Sequence, residues 1–217
     1  MKDPMSEYRG MRVAVTDGRA EVARVTREAE VQVAVSRGDR RDPSLATGIA
    51  FFDHMLEMIA WHAALNLDVT FAKKTYALRH VVTEDVGMAL GLGINALLRQ
   101  AMAEGVEGAA SASMAMDESL AFCALSFEGR SMHFIDREAP GSQLEWVEDM
   151  LGADMVAFYE GFAQGARCTL RLKVTDGKDP HHAWEAAARA FAVALRRCFD
   201  PMPFRAGLTA GVKGTLD

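Results

Sequence analysis

Residues 177–195 read GKDPHHAWEAAARAFAVAL, and the first half of the chain carries a counterpart 101 positions earlier. Asp179-Pro180-His181 is a helix start: the aspartate can cap free backbone N–H groups, and a proline is tolerated in the first turn. The helix is expected to run to about Phe199. Shifting the sequence by 101 sets His80 on His181 and Glu84 on Glu185, the helical run 54–65 on 155–166, and the strand-like run 67–71 on 168–172. A shared order of strand, helix, strand, helix with one coincident His/Glu pair points to an internal duplication. Helices recur at similar spacing in unrelated folds, so the pair carries the argument.

The rest of the chain fits around that repeat. Residues 11–16 and 20–35 alternate as two strands about the turn Asp17-Gly18, a hairpin signature. Residues 36–44 (SRGDRRDPS) read as a loop, and 51–64 as a helix with Asp53 as its cap. Residues 67–71 alternate as a strand, and 84–102 form a buried helix despite Gly87, Gly91 and Gly93. In the second half, 116–127 and 130–135 read as strands, 146–165 as a helix and 168–174 as a strand. Each half is then an α+β unit whose sheet needs a cover. The expected fold is α+β and internally duplicated, with two mixed β-sheets packed back to back and helices outside. Its expected parts are a flexible N-terminal arm (1–11), a first repeat (12–105) and a second repeat (106–217), in one compact body.

Composition narrows the function classes. The 217 residues hold 24 Lys and Arg against 30 Asp and Glu, a formal charge of -6, so no broad basic field exists for nucleic acid. Trp61, Trp146 and Trp184 are too scattered for base stacking. Three cysteines, Cys123, Cys168 and Cys198, form no CxxC pair and suit a reduced, cytoplasmic setting. No apolar run approaches the roughly 20 residues of a membrane span, and the N-terminus lacks the apolar core of a signal peptide.

The chain has six histidines, and the candidate chemistry is sought first among them. In a helix, residues four apart share a face, so His181 and Glu185 can hold one ion while His182 points about 100° away. His80 and Glu84 repeat the relation. A single such pair is also compatible with a solvated, hydrogen-bonded helix face; two at equivalent places of a repeat favour metal. Without thiolates, the ion is manganese, zinc, iron or cobalt. His54, after Asp53, is a further ligand or a histidine held by its neighbour; His133 reads as structural.

The segments GIAFFDHMLEMIAWH (48–62), HVVTEDVGMALG (80–91), MDESLAFCALSFEGR (116–130), GKDPHHAWEAAARAFAVAL (177–195) and GVKGTL (211–216) resemble, in this order, the motifs of the imidazoleglycerol-phosphate dehydratase family. The resemblance covers most of the chain from about residue 12. It implies a duplicated α+β fold, like that of the second domain of a small-subunit ribosomal protein. It also implies a manganese-dependent lyase of histidine biosynthesis, a homo-oligomer of 24 subunits with sites built from several chains and two ions flanking a small imidazole phosphate substrate. Loss of water from that substrate is slowed by a weakly acidic carbon-bound proton, which a metal can help to release. Carried over by position, the resemblance implies metal ligands His54, His80, Glu84, His181, His182 and Glu185. It implies catalytic carboxylates Glu28, Glu84 and Glu185, and substrate contacts from His62, Asp117, Arg130 and Lys213.

Five positions depart from the family pattern. His80 is followed by Val81 where the family has a second histidine, and Arg171 stands where a strand histidine is usual. Gly108 falls in a normally basic segment, Met58 replaces a glutamine and Gly211 a serine. Three readings are compatible with this: a working dehydratase with its site rearranged, Arg79 or Lys178 supplying charge; a paralogue acting on another substrate; or an assembly protein whose metal only joins subunits.

Overall fold

A computed structural model describes residues 6–8, 10–75, 78–214 and 216. The first half contains β1 (Ser6–Tyr8), β2 (Met11–Thr16), β3 (Arg19–Val25), β4 (Ala29–Ser36), β5 (Ser44–Ala46), α1 (Ala50–Ala63), β6 (Asn66–Lys73) and α2 (Arg79–Ala101). The second half contains β7 (Ala109–Met116), β8 (Ser119–Ser126), β9 (Met132–Arg137), a single turn α3 (Pro140–Gln143), β10 (Trp146–Val147), β11 (Met150–Leu151), α4 (Gly152–Ala166), β12 (Thr169–Asp176) and α5 (Pro180–Cys198).

The strands form two mixed sheets, ordered β1-β2-β3-β4-β6-β5 and β7-β8-β12-β9, with β10 and β11 as a separate small hairpin. The pairs β3-β4 and β4-β6 are antiparallel and β6-β5 parallel; β7-β8 and β8-β12 are antiparallel and β12-β9 parallel. The two halves therefore repeat one strand order with one set of directions.

Both sheets and the helices are present as the α+β reading requires, but the layers differ from those expected: the helices lie between the sheets, not outside. α2 packs on β2, β3 and β4 with one side and on α4 with the other, while α5 packs on β7, β8 and β12 and against α1. A helix covered on both sides must be apolar nearly all round. α2 is, to the point that its length and composition would suit a membrane span, yet 83% of its most apolar window is buried inside the protein. α5 likewise buries Trp184, Ala187, Phe191 and Leu195.

The α2–α4 crossing explains the glycines. A Cβ at Gly87 would overlap the Phe158 carbonyl oxygen and one at Gly91 that of Phe162. From the other side, a Cβ at Gly161 would overlap the Glu84 oxygen and one at Gly165 the Met88 oxygen. The two backbones touch along this seam.

Other expectations change in detail. The run 20–35 is two strands, broken where the Thr26 hydroxyl accepts the Glu28 and Ala29 N–H groups at 3.1 Å each. β7 was not expected, because its AASASMAM sequence has little β propensity. Residues 146–151 form the β10–β11 hairpin, and the helix begins only at Gly152. Ser6–Tyr8 pair with β2 and Met11 is fully buried, so these parts of the expected arm belong to the sheet; Met1–Met5 and Arg9 lie outside the described residues. Cys123, Cys168 and Cys198 are free and buried, and burial pushes the Cys198 thiol up to about 12.

Candidate metal centre

α5 begins as its sequence requires. Asp179 caps it, accepting the His181 N–H at 2.8 Å and the His182 N–H at 3.4 Å. Consecutive side chains diverge, so His181 faces α1 and His182 faces the β7–β8 turn. α1 lies along α5 and sets His54 beside His181, their ring centroids 5.4 Å apart.

Asp53 does not cap α1. It accepts the Thr47 hydroxyl at 2.7 Å and the Thr47 N–H at 3.1 Å. The first turn of α1 is instead served by Asp149, from the β10–β11 turn, which accepts the Ala50 and Phe51 N–H groups at 2.8 and 3.0 Å.

One ligand atom from each of His54, His181 and Glu185 lies within 4.8 Å of the others. The Nε2 atoms of both histidines are 3.4 Å from the same Glu185 oxygen, Oε2. Glu185 is only 4% exposed, and its Oε1 accepts from Arg189. Burial pushes its carboxyl up; the bond and charge of Arg189, with His54, outweigh burial and hold it below the usual range. Two imidazoles around a carboxylate kept anionic form a donor set that fits a borderline divalent cation.

His182 enters a different set. Its Nδ1 lies 2.8 Å from Glu118 Oε2 and its Nε2 3.5 Å from Asp117 Oδ2. Glu118 also accepts the Asp179 and Lys178 N–H groups at 3.0 Å each. The Asp179 amide, then His182 and the Lys178 amide, hold the Glu118 carboxyl down at about 2, and Glu118 in turn raises His182.

His80 and Glu84 lie on the first turns of α2, outside the three-donor cluster; His80 is exposed and Glu84 half-buried. Glu28 is exposed on the β3–β4 turn. Both glutamates act on Asp85, whose carboxyl is pushed up first by burial and then by their charges, against Arg24 at 3.2 Å.

The expected phosphate contacts divide. The segments that carry Arg130 and Lys213 meet: a Cβ at Gly129 would overlap the Leu216 oxygen, and one at Gly211 would sit 3.2 Å from Glu128 Cδ. His62 lies elsewhere, in the last turn of α1, its carbonyl accepting from Arg196 at 3.1 Å. Burial, then the charges of Arg189 and Arg196, lower its pKa.

Arg171 is engaged with Asp136 at 3.0 Å and lies 5.4 Å above the Phe134 ring. Met58 packs against the core. Arg79 sits 5.6 Å over Trp146 of β10. His133 pairs with Glu160 at 3.2 Å on the surface.

Arg189, Glu148 and Asp149 were missed by sequence reasoning. Arg189 had a signal, since it lies four residues after Glu185 on the same helix face. Glu148 reaches His181 Nδ1 at 3.0 Å from a distant hairpin and had none.

A family profile described as imidazoleglycerol-phosphate dehydratase matches residues 47–195, which include all three residues of the cluster. The chain belongs to the imidazoleglycerol-phosphate dehydratase family. It is similar to the imidazoleglycerol-phosphate dehydratase of Listeria monocytogenes, with 34% identity over 195 residues, 89% of this chain and 96% of that protein. It is also similar to that of Azorhizobium caulinodans, with 34% identity over 199 residues, 91% of this chain and 98% of that protein. Among solved structures, the imidazoleglycerol-phosphate dehydratase of Pyrococcus furiosus matches with a TM-score of 0.72 and 26% identity, covering 88% of this chain and 98% of that one. The Staphylococcus aureus enzyme, at 22% identity and a TM-score of 0.72 over 85% of this chain and 99% of that one, supports the fold. Imidazoleglycerol-phosphate dehydratases are metal-dependent, and His54, His181 and Glu185 form a cluster that could hold a metal ion.

Proposed function

We propose that this chain is an imidazoleglycerol-phosphate dehydratase, a hydro-lyase that removes water from imidazole-glycerol phosphate in histidine biosynthesis. The observation that carries the proposal is the cluster of His54, His181 and Glu185, drawn from two helices within the region that matches the family.

In this reading His54, His181 and Glu185 hold one Mn2+ ion, and His80, Glu84 and His182 supply further ligands. The ion, when bound, supplies an electrophile that draws electron density from the substrate imidazole and eases loss of a carbon-bound proton. Arg189 keeps Glu185 anionic and in place. Glu118 fixes the ring of His182. Glu28 is the carboxylate that moves the proton, from an exposed turn that can meet substrate. Arg130 and Lys213 bind the phosphate where their segments meet, His62 contributes from α1, and Asp117 contacts substrate from its turn.

The exposure of His80 supports sites completed between chains, in a large homo-oligomer that we take to be the 24-subunit shell. We further propose that residues 12–105 and 106–217 are the two copies of a duplicated unit, and that the enzyme works in the cytoplasm.

The test is turnover of imidazole-glycerol phosphate by the purified protein, first stripped with a chelator and then supplied with Mn2+. Activity that vanishes on stripping and returns with Mn2+ is the expected result. A protein that binds Mn2+ and leaves the substrate unchanged would overturn the proposal.

A further inference from the structure

Five described residues other than glycine have positive φ. Asp17 and Asp117 occupy hairpin turns, where a short polar side chain suits the left-handed region, and Ala64 and Arg167 close α1 and α4. The fifth is Glu148, with φ 48°, in the two-residue turn between β10 and β11. Glutamate has no local reason to be there, and glycine would adopt this backbone without the steric conflict of a Cβ.

What Glu148 does have is a partner. Its carboxylate lies 3.0 Å from Nδ1 of His181. A carboxylate only accepts, so this contact calls for Nδ1–H, and a neutral ring held in that way has its lone pair on Nε2. That Nε2 is the atom 3.4 Å from Glu185 and facing the cluster. The same turn is anchored, because Asp149 beside Glu148 accepts two N–H groups of α1, the helix that bears His54. Trp146, on the same hairpin, lies under Arg79 at the start of α2.

We propose that Glu148 is a positioning residue, which fixes the ring orientation and tautomer of His181 so that Nε2 is presented to the metal. Outer carboxylates of this kind also raise the basicity of the ligating nitrogen. A mere surface ion pair would not need a left-handed backbone. The inference rests on the metal reading of the cluster, and the experiment separates the two.

The purified, assembled protein is stripped of metal and compared with Glu148→Gly, Glu148→Gln and His181→Ala. Two quantities are read: the melting temperature of the stripped protein and its affinity for Mn2+ by titration. Glu148→Gly is expected to melt at or above the wild-type temperature, because the backbone conflict is relieved, while Mn2+ affinity falls about 10- to 100-fold. Glu148→Gln, which keeps an accepting oxygen without the charge, is expected to fall between. A glycine variant that binds Mn2+ as tightly as wild type would overturn the inference. So would one that melts lower in step with its loss of affinity, since that is the signature of a structural role. If His181→Ala binds Mn2+ as well as wild type does, the metal reading itself is wrong and the inference falls with it.

Discussion

At the start of α5, His181 and Glu185 meet His54 from α1, Glu148 from the β10–β11 hairpin and Arg189 from the next turn. At the start of α2, His80 and Glu84 have the same spacing, but His80 is exposed and Glu84 shares its surroundings with Glu28 and Asp85. The neighbouring helix makes the difference. α1 brings a histidine to α5, whereas α4 meets α2 through Gly161 and Gly165, backbone against backbone. The i, i+4 spacing creates a pair of donors; what crosses the helix decides whether the pair becomes a site within one chain. The proposed function takes the pair on α2 as the half of a site that another chain completes.

The largest test of this contrast is to disable each pair separately. His181→Ala and His80→Ala are each expected to cut turnover by about 100-fold or more, as loss of a ligand removes the electrophile. Oligomers assembled from a mixture of the two variants are expected to regain part of the activity, since some sites then draw an intact pair from each chain. A mixture as inactive as its components would place both pairs in one chain's site.

The glycine seam comes next. Gly165→Val would drive a side chain into the Met88 carbonyl and is expected to destabilise the fold by about 3 kcal/mol or more, read as a fall in denaturant midpoint. Because the seam also sets the start of α2, the same variant is expected to lose turnover at temperatures where it remains folded.

A smaller effect is expected at Arg189. Arg189→Met would remove the cation that opposes burial at Glu185, so the carboxyl would rise, and Mn2+ binding at pH 6 would weaken more than at pH 8. Equal binding loss at both values would assign Arg189 to packing alone.

The smallest effect lies away from both pairs, on the outer face of the first sheet. There the Arg41 hydrogen bond, with Arg19 adding to it, outweighs burial and holds the Asp68 carboxyl below its ordinary value. A depressed carboxyl stabilises the fold above its unfolded pKa, and the contribution is lost as pH falls through the folded value. Asp68→Asn is expected to cost about 1 kcal/mol at pH 7 and progressively less as pH falls below the ordinary carboxylate range, with turnover at pH 7 unchanged. A melting-temperature gap that persists in acid would contradict this.

Much of the architecture was legible. The DPHH start of α5 is spelled out by its cap and proline, and the 101-residue spacing of the two His/Glu pairs marks equivalent helices in two sheets of one topology. The layer order differs from the sequence expectation, although the sequence carries a clue: α2 is apolar nearly all round, which suits a helix covered on both sides rather than one lying outside a sheet. β7 escaped because its alanines and serines carry no strand pattern, and the 146–151 hairpin because four paired residues are too few to show a period. Of the site, His54, His181 and Glu185 are legible in the sequence as candidate ligands, and they lie together. Glu148 was out of reach, because its role depends on a tertiary contact across 33 residues and on a backbone angle that no residue type announces.

The measurement that tests the central claim most directly is turnover of imidazole-glycerol phosphate by the wild-type protein, with metal content determined on the same sample. The account expects no turnover from metal-free protein and full recovery when Mn2+ is restored. Stoichiometric Mn2+ at an intact cluster without loss of water from the substrate would contradict it.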